Sequence, residues 1–322
     1  MNTMRAVAQD RYGSYEVLDC RTVPRPEPGE GEVLLQVAAA GVDPGVWHLM
    51  TGLPMAARLV FGLRRPKDPV RGRDVAGTVV AAGPGSPLSV GDEVFGVTAR
   101  GSFAEFAVAP AKLLVPRPPA VSPEQAAVTP VSGGTAMQAL DKAEISAGDR
   151  VLIIGAGGGV GTFAVQIAKA RGAEVTGVCS AGKADLVRSI GADQVIDYRR
   201  EGLGGGYHAI VDLAGLRTLR ELRTALTPRG TLVMVGGEDD GRWVGGGLTR
   251  QLRAGLVGPV VGQRLRSVLA IERREVLERL AGMLADGSLA PVVDRVYPLA
   301  EAPSAIRDMM AGRARGKLVV VP

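Results

Sequence analysis

Apolar positions along this chain fall into short runs divided by glycine- and proline-bearing turns. Val151, Leu152, Ile153 and Ile154 form an unbroken apolar run, the pattern of a strand buried on both faces. A glycine stretch follows, and then residues 162–171 repeat their apolar side chains at helical spacing. Residues 174–178 read as a second strand, 183–190 as a helix and 193–197 as a third strand. Strands over 209–213 and 231–235, with a helix over 218–226 between them, continue the rhythm. This alternation predicts an α/β domain with a parallel sheet.

The flanks follow a different period. Short strands are expected over 4–7, 33–40, 74–82, 92–97 and 103–108, with Gly/Pro turns at 26–31, 83–85 and 90–92, which predicts a small β-rich barrel. Residues 42–66 lack either period and are expected to be irregular. They are rich in large apolar groups: Trp47, Met50, Met55 and Phe61 suit the wall of a substrate site, although plain core packing is as good a reading for each. Ser122, Pro123 and Gln125 supply a cap, a first-turn proline and a capping-box partner, so helices are expected over 124–129 and 132–142. Residues 242–284 read as helical and arginine-rich. A strand at 292–297, a helix at 302–310 and a strand at 317–321 close the chain.

With 322 residues, 46% of them hydrophobic and 45 glycines, the chain has room for two domains and a sizeable core. No apolar run reaches the roughly 18 residues of a membrane span. Residues 1–10 lack the apolar core of a signal peptide, so a cytoplasmic protein without a membrane partner is expected. The balance of 38 basic against 33 acidic side chains gives +5, spread without a long run, and no nucleic-acid partner is expected. Charges around Glu272 and Arg279 recur at helical spacing, as on a solvated face. Cys20, Cys179, His48 and His208 have no metal-ligand spacing, and no metal is expected.

The glycine stretch reads Ala156-x-Gly158-x-x-Gly161, with Gly159 and Val160 inside it, between a strand and a helix. Small residues let backbone approach a pyrophosphate, and the helix N-terminus offers amide hydrogens and a positive dipole end. The bare pattern is weak, but the βαβαβ setting strengthens it. After the second strand, where an NAD site usually carries an acid for the ribose hydroxyl, stand Ser180 and Lys183. With no acid to repel a 2′-phosphate, NADPH is expected over NADH.

The longer run Gly148-Asp149-Arg150-Val151-Leu152, then Ala156 through Gly161, Gln166 and Lys169, resembles the signature of the zeta-crystallin-like quinone oxidoreductases of the medium-chain dehydrogenase/reductase superfamily. Residues 91–96 and 101–108 resemble strands of that superfamily's GroES-like catalytic domain. The resemblance covers essentially the whole chain. It implies a GroES-like β-barrel catalytic domain over 1–120 and 288–322, a Rossmann dinucleotide-binding domain over 121–287, and a homodimer with 231–235 as a candidate edge strand. It further implies that Tyr198 joins Lys183 at the 2′-phosphate and that Thr135 lies near the nicotinamide ribose. Backbone at Gly236 and Gly237 would hold the carboxamide, although two glycines after a strand are equally ordinary turn chemistry. The segment 42–66 would face the nicotinamide.

Zinc-dependent members of the superfamily carry a cysteine near Gly41 and a His-Glu pair near Arg73 and Asp74; this chain has Asp43, Arg73 and Asp74 there. Without a Lewis acid, hydride transfer to an acceptor already activated by conjugation is expected: a quinone, an enone or an enal. Trp47, Met50, Met55, Phe61 and Trp243 suggest a bulky apolar acceptor. Related enoyl reductases supply a tyrosine acid from 42–66, where this chain has none and Met55 stands near the place. His48 is a candidate acid, Asp43 a cofactor or orientation contact, and solvent the default proton source. A rival expectation of another class is an NADPH-binding crystallin-like or RNA-binding protein with little turnover, against which stands the lack of an aromatic-and-basic stacking platform.

Overall fold

The computed structural model describes residues 2–98, 100–235 and 262–322. They form two compact units, Met1–Gly134 with Glu272–Pro322, and Thr135–Ile271.

The first unit begins with β1 (Thr3–Ala8), β2 (Asp19–Pro24) and β3 (Glu32–Val42). Helices α1 (Pro44–Thr51) and α2 (Arg58–Phe61) follow, then β4 (Asp74–Ala82), β5 (Glu93–Val97), β6 (Phe106–Pro110) and β7 (Leu114–Pro116). Helices α3 (Pro123–Ala127) and α4 (Pro130–Ala143) lead on, the unit boundary falling inside α4. The second unit holds β8 (Arg150–Ile154), α5 (Gly159–Ala170), β9 (Glu174–Cys179), α6 (Ala184–Ser189) and β10 (Gln194–Asp197). It continues with β11 (Tyr207–Asp212), α7 (Leu219–Ala225), β12 (Leu226–Val235) and β13 (Arg264–Val268). Helix α8 (Arg274–Ala285), β14 (Val293–Pro298), α9 (Ala302–Met310) and β15 (Lys317–Val321) complete the first unit.

In the first unit the strands run in the order β14-β15-β3-β4-β5-β7, with β6 also on β3 and a separate β1–β2 ribbon. All pair antiparallel except β14 with β15. Alternating positions of β3, among them Val33, Leu35 and Val37, meet Val75, Val79 and Phe103 in one core. This is the GroES-like architecture. In the second unit β10-β9-β8-β11-β12-β13 is parallel throughout among the described residues, the Rossmann-type sheet expected from the apolar runs. Leu152, Ile154, Ile210 and Leu232 are buried there against Leu222 of α7, each contributing on the order of 1.5–3 kcal/mol by leaving water. Capping boxes start α3 (Ser122 with Gln125) and α7 (Thr218 with Glu221). Each is worth roughly 1 kcal/mol.

Four expectations change. Residues 42–66 are not irregular: Asp43 caps α1, Pro44 occupies its first turn, and α2 follows, so local capping organised a segment whose apolar positions showed no period. Residues 264–268 are a strand and not helix; Leu265 packs on the core of the parallel sheet, as extended pairing with β12 requires. That pairing also makes 231–235 an interior strand, so among the described residues β13 is the edge of the sheet on that side. Finally, the unit limits lie at Gly134 and Ile271 instead of 120 and 287. Helix α3 packs on β3 and β4, and α8 on β7, which draws both helices into the first unit.

A charged hub ties the last strands and α9. Asp308 accepts from the Tyr297 hydroxyl at 2.8 Å and from Arg295 and Arg313 at 3.0 Å each. The Tyr297 hydrogen bond, helped by both guanidinium groups, holds its carboxyl below the usual range. A depressed folded-state pKa contributes stability that is complete above the unfolded value near about pH 4 and is lost as pH falls through the folded value. Asp308→Asn is therefore expected to cost about 1–2 kcal/mol in urea unfolding at neutral pH, with the two proteins converging in acid.

Candidate active site

The second unit gathers its candidate residues at the C-terminal ends of three adjacent strands. After β8 the chain turns at Gly155, whose φ is +88°. The amides of Gly155 and Ala156 both donate to Val178 O of β9 at 3.0 Å, which fixes the turn to the sheet. Gly158 caps α5 without a side chain, and the first helical bond runs from Thr162 N to Gly158 O. The amides of Gly159, Val160 and Gly161 therefore precede the helical ladder and are oriented for an anion.

Two glycines in this turn are required by close approach. A Cβ on Gly161 would lie 2.1 Å from Gly155 O and 2.7 Å from Ala156 Cα. A Cβ on Gly157 would lie 2.9 Å from both Cβ and Cδ of Lys183. Lys183 thus lies along the glycine turn, at the end of a short helical turn after β9, with its amide bonded to Ser180 O at 2.9 Å. Tyr198 follows β10, its amide 3.3 Å from Cys179 O, and its ring is partly exposed. Ala156, Gly158, Gly159, Val160, Gly161, Ser180, Lys183 and Tyr198 therefore share one end of the parallel sheet, where an open α/β sheet binds ligands. Asp197, also at this end, spends its carboxylate on its own turn, accepting from Arg199 N at 3.1 Å. Thr135 is half-buried in α4. Gly236, Gly237 and Trp243 lie outside the described residues. Gly155 is not among the sequence candidates and Gly157 enters only as part of the signature run; their place in an unbroken run of small residues is the available signal.

In the first unit Asp43 is fully buried at the start of α1. Its Oδ1 accepts from Gly45 N at 2.7 Å, while its Oδ2 has no hydrogen-bond partner among the described residues. Asp74, also fully buried, accepts from Val131 N at 3.0 Å. Burial first, and then the neighbouring Asp43 charge, push the Asp74 carboxyl well above the usual range. Beside them lies a buried cation that sequence reasoning missed. Lys317 Nζ donates to Val42 O at 2.7 Å and to Ser132 Oγ at 2.9 Å, and stands 3.9 Å from Asp74 Oδ2. Nothing in a Gly-Lys-Leu-Val strand announces a buried lysine, which is rare in cores. Arg73 is paired with Glu272 at 2.7 Å.

The apolar candidates separate. Trp47 is half-buried on the core, edge-on to the His48 ring at 5.0 Å, and Met55 is half-buried at the start of a one-turn helix. Met50 faces inward on α1 with 1% of its surface exposed and has no area to offer a substrate, which corrects its assignment to the wall. Phe61 projects outward on α2. His48 Nδ1 lies 2.9 Å from Leu53 O. A carbonyl only accepts, so Nδ1 carries the hydrogen and the neutral ring has a lone pair, not a proton, at Nε2. Among the described residues no group of three or more His, Cys, Asp or Glu side chains is arranged to hold a metal ion.

A GroES-like barrel followed by a Rossmann-type sheet with a glycine turn defines a nicotinamide-dependent oxidoreductase, and the chain belongs to the medium-chain dehydrogenase/reductase family. Residues 29–119 match the alcohol dehydrogenase GroES-like domain and residues 190–320 the zinc-binding dehydrogenase domain. Within the family it belongs with the quinone oxidoreductases. It is 32% identical over 337 residues to a chloroplast envelope quinone oxidoreductase homolog of Arabidopsis thaliana, covering 99% of this chain and 98% of the relative. It is 33% identical to the trans-enoyl reductase pgmF of Aspergillus terreus, covering 91% of this chain and 86% of the relative. Among solved structures, the quinone oxidoreductase from Coxiella burnetii superposes with a TM-score of 0.87 at 28% identity, covering all of both chains. A mycobacterial protein complexed with NADPH superposes at 0.83 and 29% identity, covering 99% of this chain and 100% of that one. Among the described residues no helix is long and apolar enough to cross a membrane.

Proposed function

We propose that this protein transfers hydride from NADPH to a quinone without a metal ion. The observation that carries the cofactor reading is Lys183 lying along Gly157 beside Ser180, at the strand end where NAD enzymes carry an acid. The turn Gly155–Gly161 fits a pyrophosphate, because the missing side chains at Gly157 and Gly161 let it close tightly and the amides of Gly159, Val160 and Gly161 lie ahead of the helical ladder. Ser180, Lys183 and Tyr198 would hold the 2′-phosphate, and Thr135 the nicotinamide ribose. When bound, NADPH supplies the hydride from C4 of its nicotinamide.

The protein's own groups orient and enclose. Asp43 Oδ1 is committed to the α1 cap, and its Oδ2, buried as well, has no hydrogen-bond partner among the described residues, so this side chain organises α1 and has no surface to offer a ligand. Arg73, paired with Glu272, carries a guanidinium with no lone pair for a metal ion, and Asp74 already accepts from Val131 N. Trp47 and Met55 supply apolar surface for a conjugated acceptor. His48 donates a proton only as an imidazolium, since its neutral Nε2 has none; solvent protonates the reduced acceptor. A second reading, reduction of an enone or enoyl C=C bond, is supported by the likeness to the trans-enoyl reductase and needs the same hydride step.

The test is NADPH and NADH oxidation after chelator treatment, against quinones, enones and enals. Turnover is expected to survive chelation and to prefer NADPH. Lys183→Ala is expected to raise the KM for NADPH roughly ten- to hundredfold with kcat little changed, the loss of a charge-assisted contact, and to leave NADH kinetics nearly as they were. Equal use of both cofactors by the parent protein sinks the NADPH assignment, and activity lost with the chelator sinks the metal-free one.

A further inference from the structure

We propose that the turn formed by residues 58–67 docks the protein onto an anionic lipid surface. Leu59, Val60 and Leu63 are 73%, 65% and 67% exposed within five residues of chain, with Phe61 projecting beside them. Single exposed apolar residues need no explanation, but four large ones together on a protein surface mark an interaction site. Exposed Arg64, Arg65 and Lys67 follow directly, against a single carboxylate at Asp68. Apolar side chains beside cations fit a membrane interface: the first enter the acyl boundary while the second stay with anionic headgroups.

The turn is built to present these groups. Arg58 donates to Gly52 O at 2.9 Å and Thr51 O at 3.1 Å, with its guanidinium 4.4 Å from the centre of the Tyr12 ring. Tyr12 donates its hydroxyl to Gly62 O at 2.7 Å, and Lys67 N closes the turn on Phe61 O at 2.9 Å. Gly62 has φ +119°, and a Cβ there would lie 2.1 Å from Arg65 O, so only glycine allows this reversal. The nearby Asp10 is ion-paired with Arg21 at 2.6 Å and lies within electrostatic reach of Arg65, and Asp68 takes Arg71 on its carbonyl. The apolar groups stand on a one-turn helix and its exit, with the cations directly after them in the chain. This departs from the expectation of no membrane partner, and it holds whichever acceptor the enzyme reduces.

The experiment is co-sedimentation of the full chain with phosphatidylcholine vesicles, with and without phosphatidylserine. Binding is expected only when phosphatidylserine is present, weakening with salt. Arg64→Ser with Arg65→Ser should lower the partition coefficient about fivefold per charge removed. Leu59→Asp with Leu63→Asp should abolish binding, with an unchanged melting temperature because both side chains are already in water. No sedimentation with phosphatidylserine vesicles, or binding indifferent to both double variants, overturns the proposal. So does an outcome in which the leucine variants split an oligomer in size-exclusion chromatography while vesicle binding persists.

Discussion

Gly161→Ala is expected to abolish measurable cofactor binding and to lower stability by several kcal/mol. The added methyl carbon would lie 2.1 Å from Gly155 O and 2.7 Å from two backbone atoms of Ala156, and backbone cannot rotate aside as a side chain can. The turn would have to open, withdrawing the Gly159–Gly161 amides and breaking the paired bonds that Gly155 and Ala156 make to Val178 O. Overpacking of a tight site costs about 1–3 kcal/mol, and loss of the anchoring hydrogen bonds adds about 1 kcal/mol each. Titration of NADPH by fluorescence and a urea unfolding curve measure the two effects. Gly182, by contrast, has open space at its Cβ position, and Gly182→Ala is expected to change neither.

Lys317→Met is the second large effect, at about 3–5 kcal/mol in urea unfolding. Removing one partner of a buried charged cluster leaves the others uncompensated. Val42 O and Ser132 Oγ lose their donor, and Asp74 loses the cation beside it. Asp74→Asn runs the other way. A carboxyl whose folded-state pKa is raised keeps its proton where the unfolded chain releases it, so the fold binds more protons and loses stability as pH rises. The amide variant escapes that penalty, and its stability relative to the parent protein should climb from acid to neutral pH. A flat difference across that range would show Asp74 to be ionised in the fold. Combined with Lys317→Met, Asp74→Asn should recover part of the loss, a coupling that a double-mutant cycle reads directly.

The sequence showed the parallel sheet and its glycine turn because each rests on local pattern. The strand 151–154 is apolar without interruption, the cap at Ser122 is a chemical signature, and the helix 302–310 and strand 317–321 were read with the ends they have. Patterns that depend on a distant neighbour were misread. Arg264, Arg266 and the charges around Glu272 suggested one helix, yet β13 is extended because β12 lies beside it. In 42–66 glycine and proline at six positions hid two helices, although Asp43 followed by Pro44 was a readable start. Met50 was offered as a substrate contact because composition cannot say which face of α1 turns inward. Lys317 was invisible for a related reason: its hydrogen-bond partners are 275 and 185 residues away.

That separation has a consequence for how the chain comes into being. The second unit is one continuous stretch, 135–271, and every strand it pairs is made before residue 272 leaves the ribosome. The first unit is not. Its β3 waits for β15, and buried Asp74 waits for Lys317, both of which follow the whole second unit. During translation the nascent barrel therefore holds Asp74 without its counter-ion, beside a sheet edge still open at β3. Vectorial synthesis, which usually favours the N-terminal part, here favours the middle of the chain.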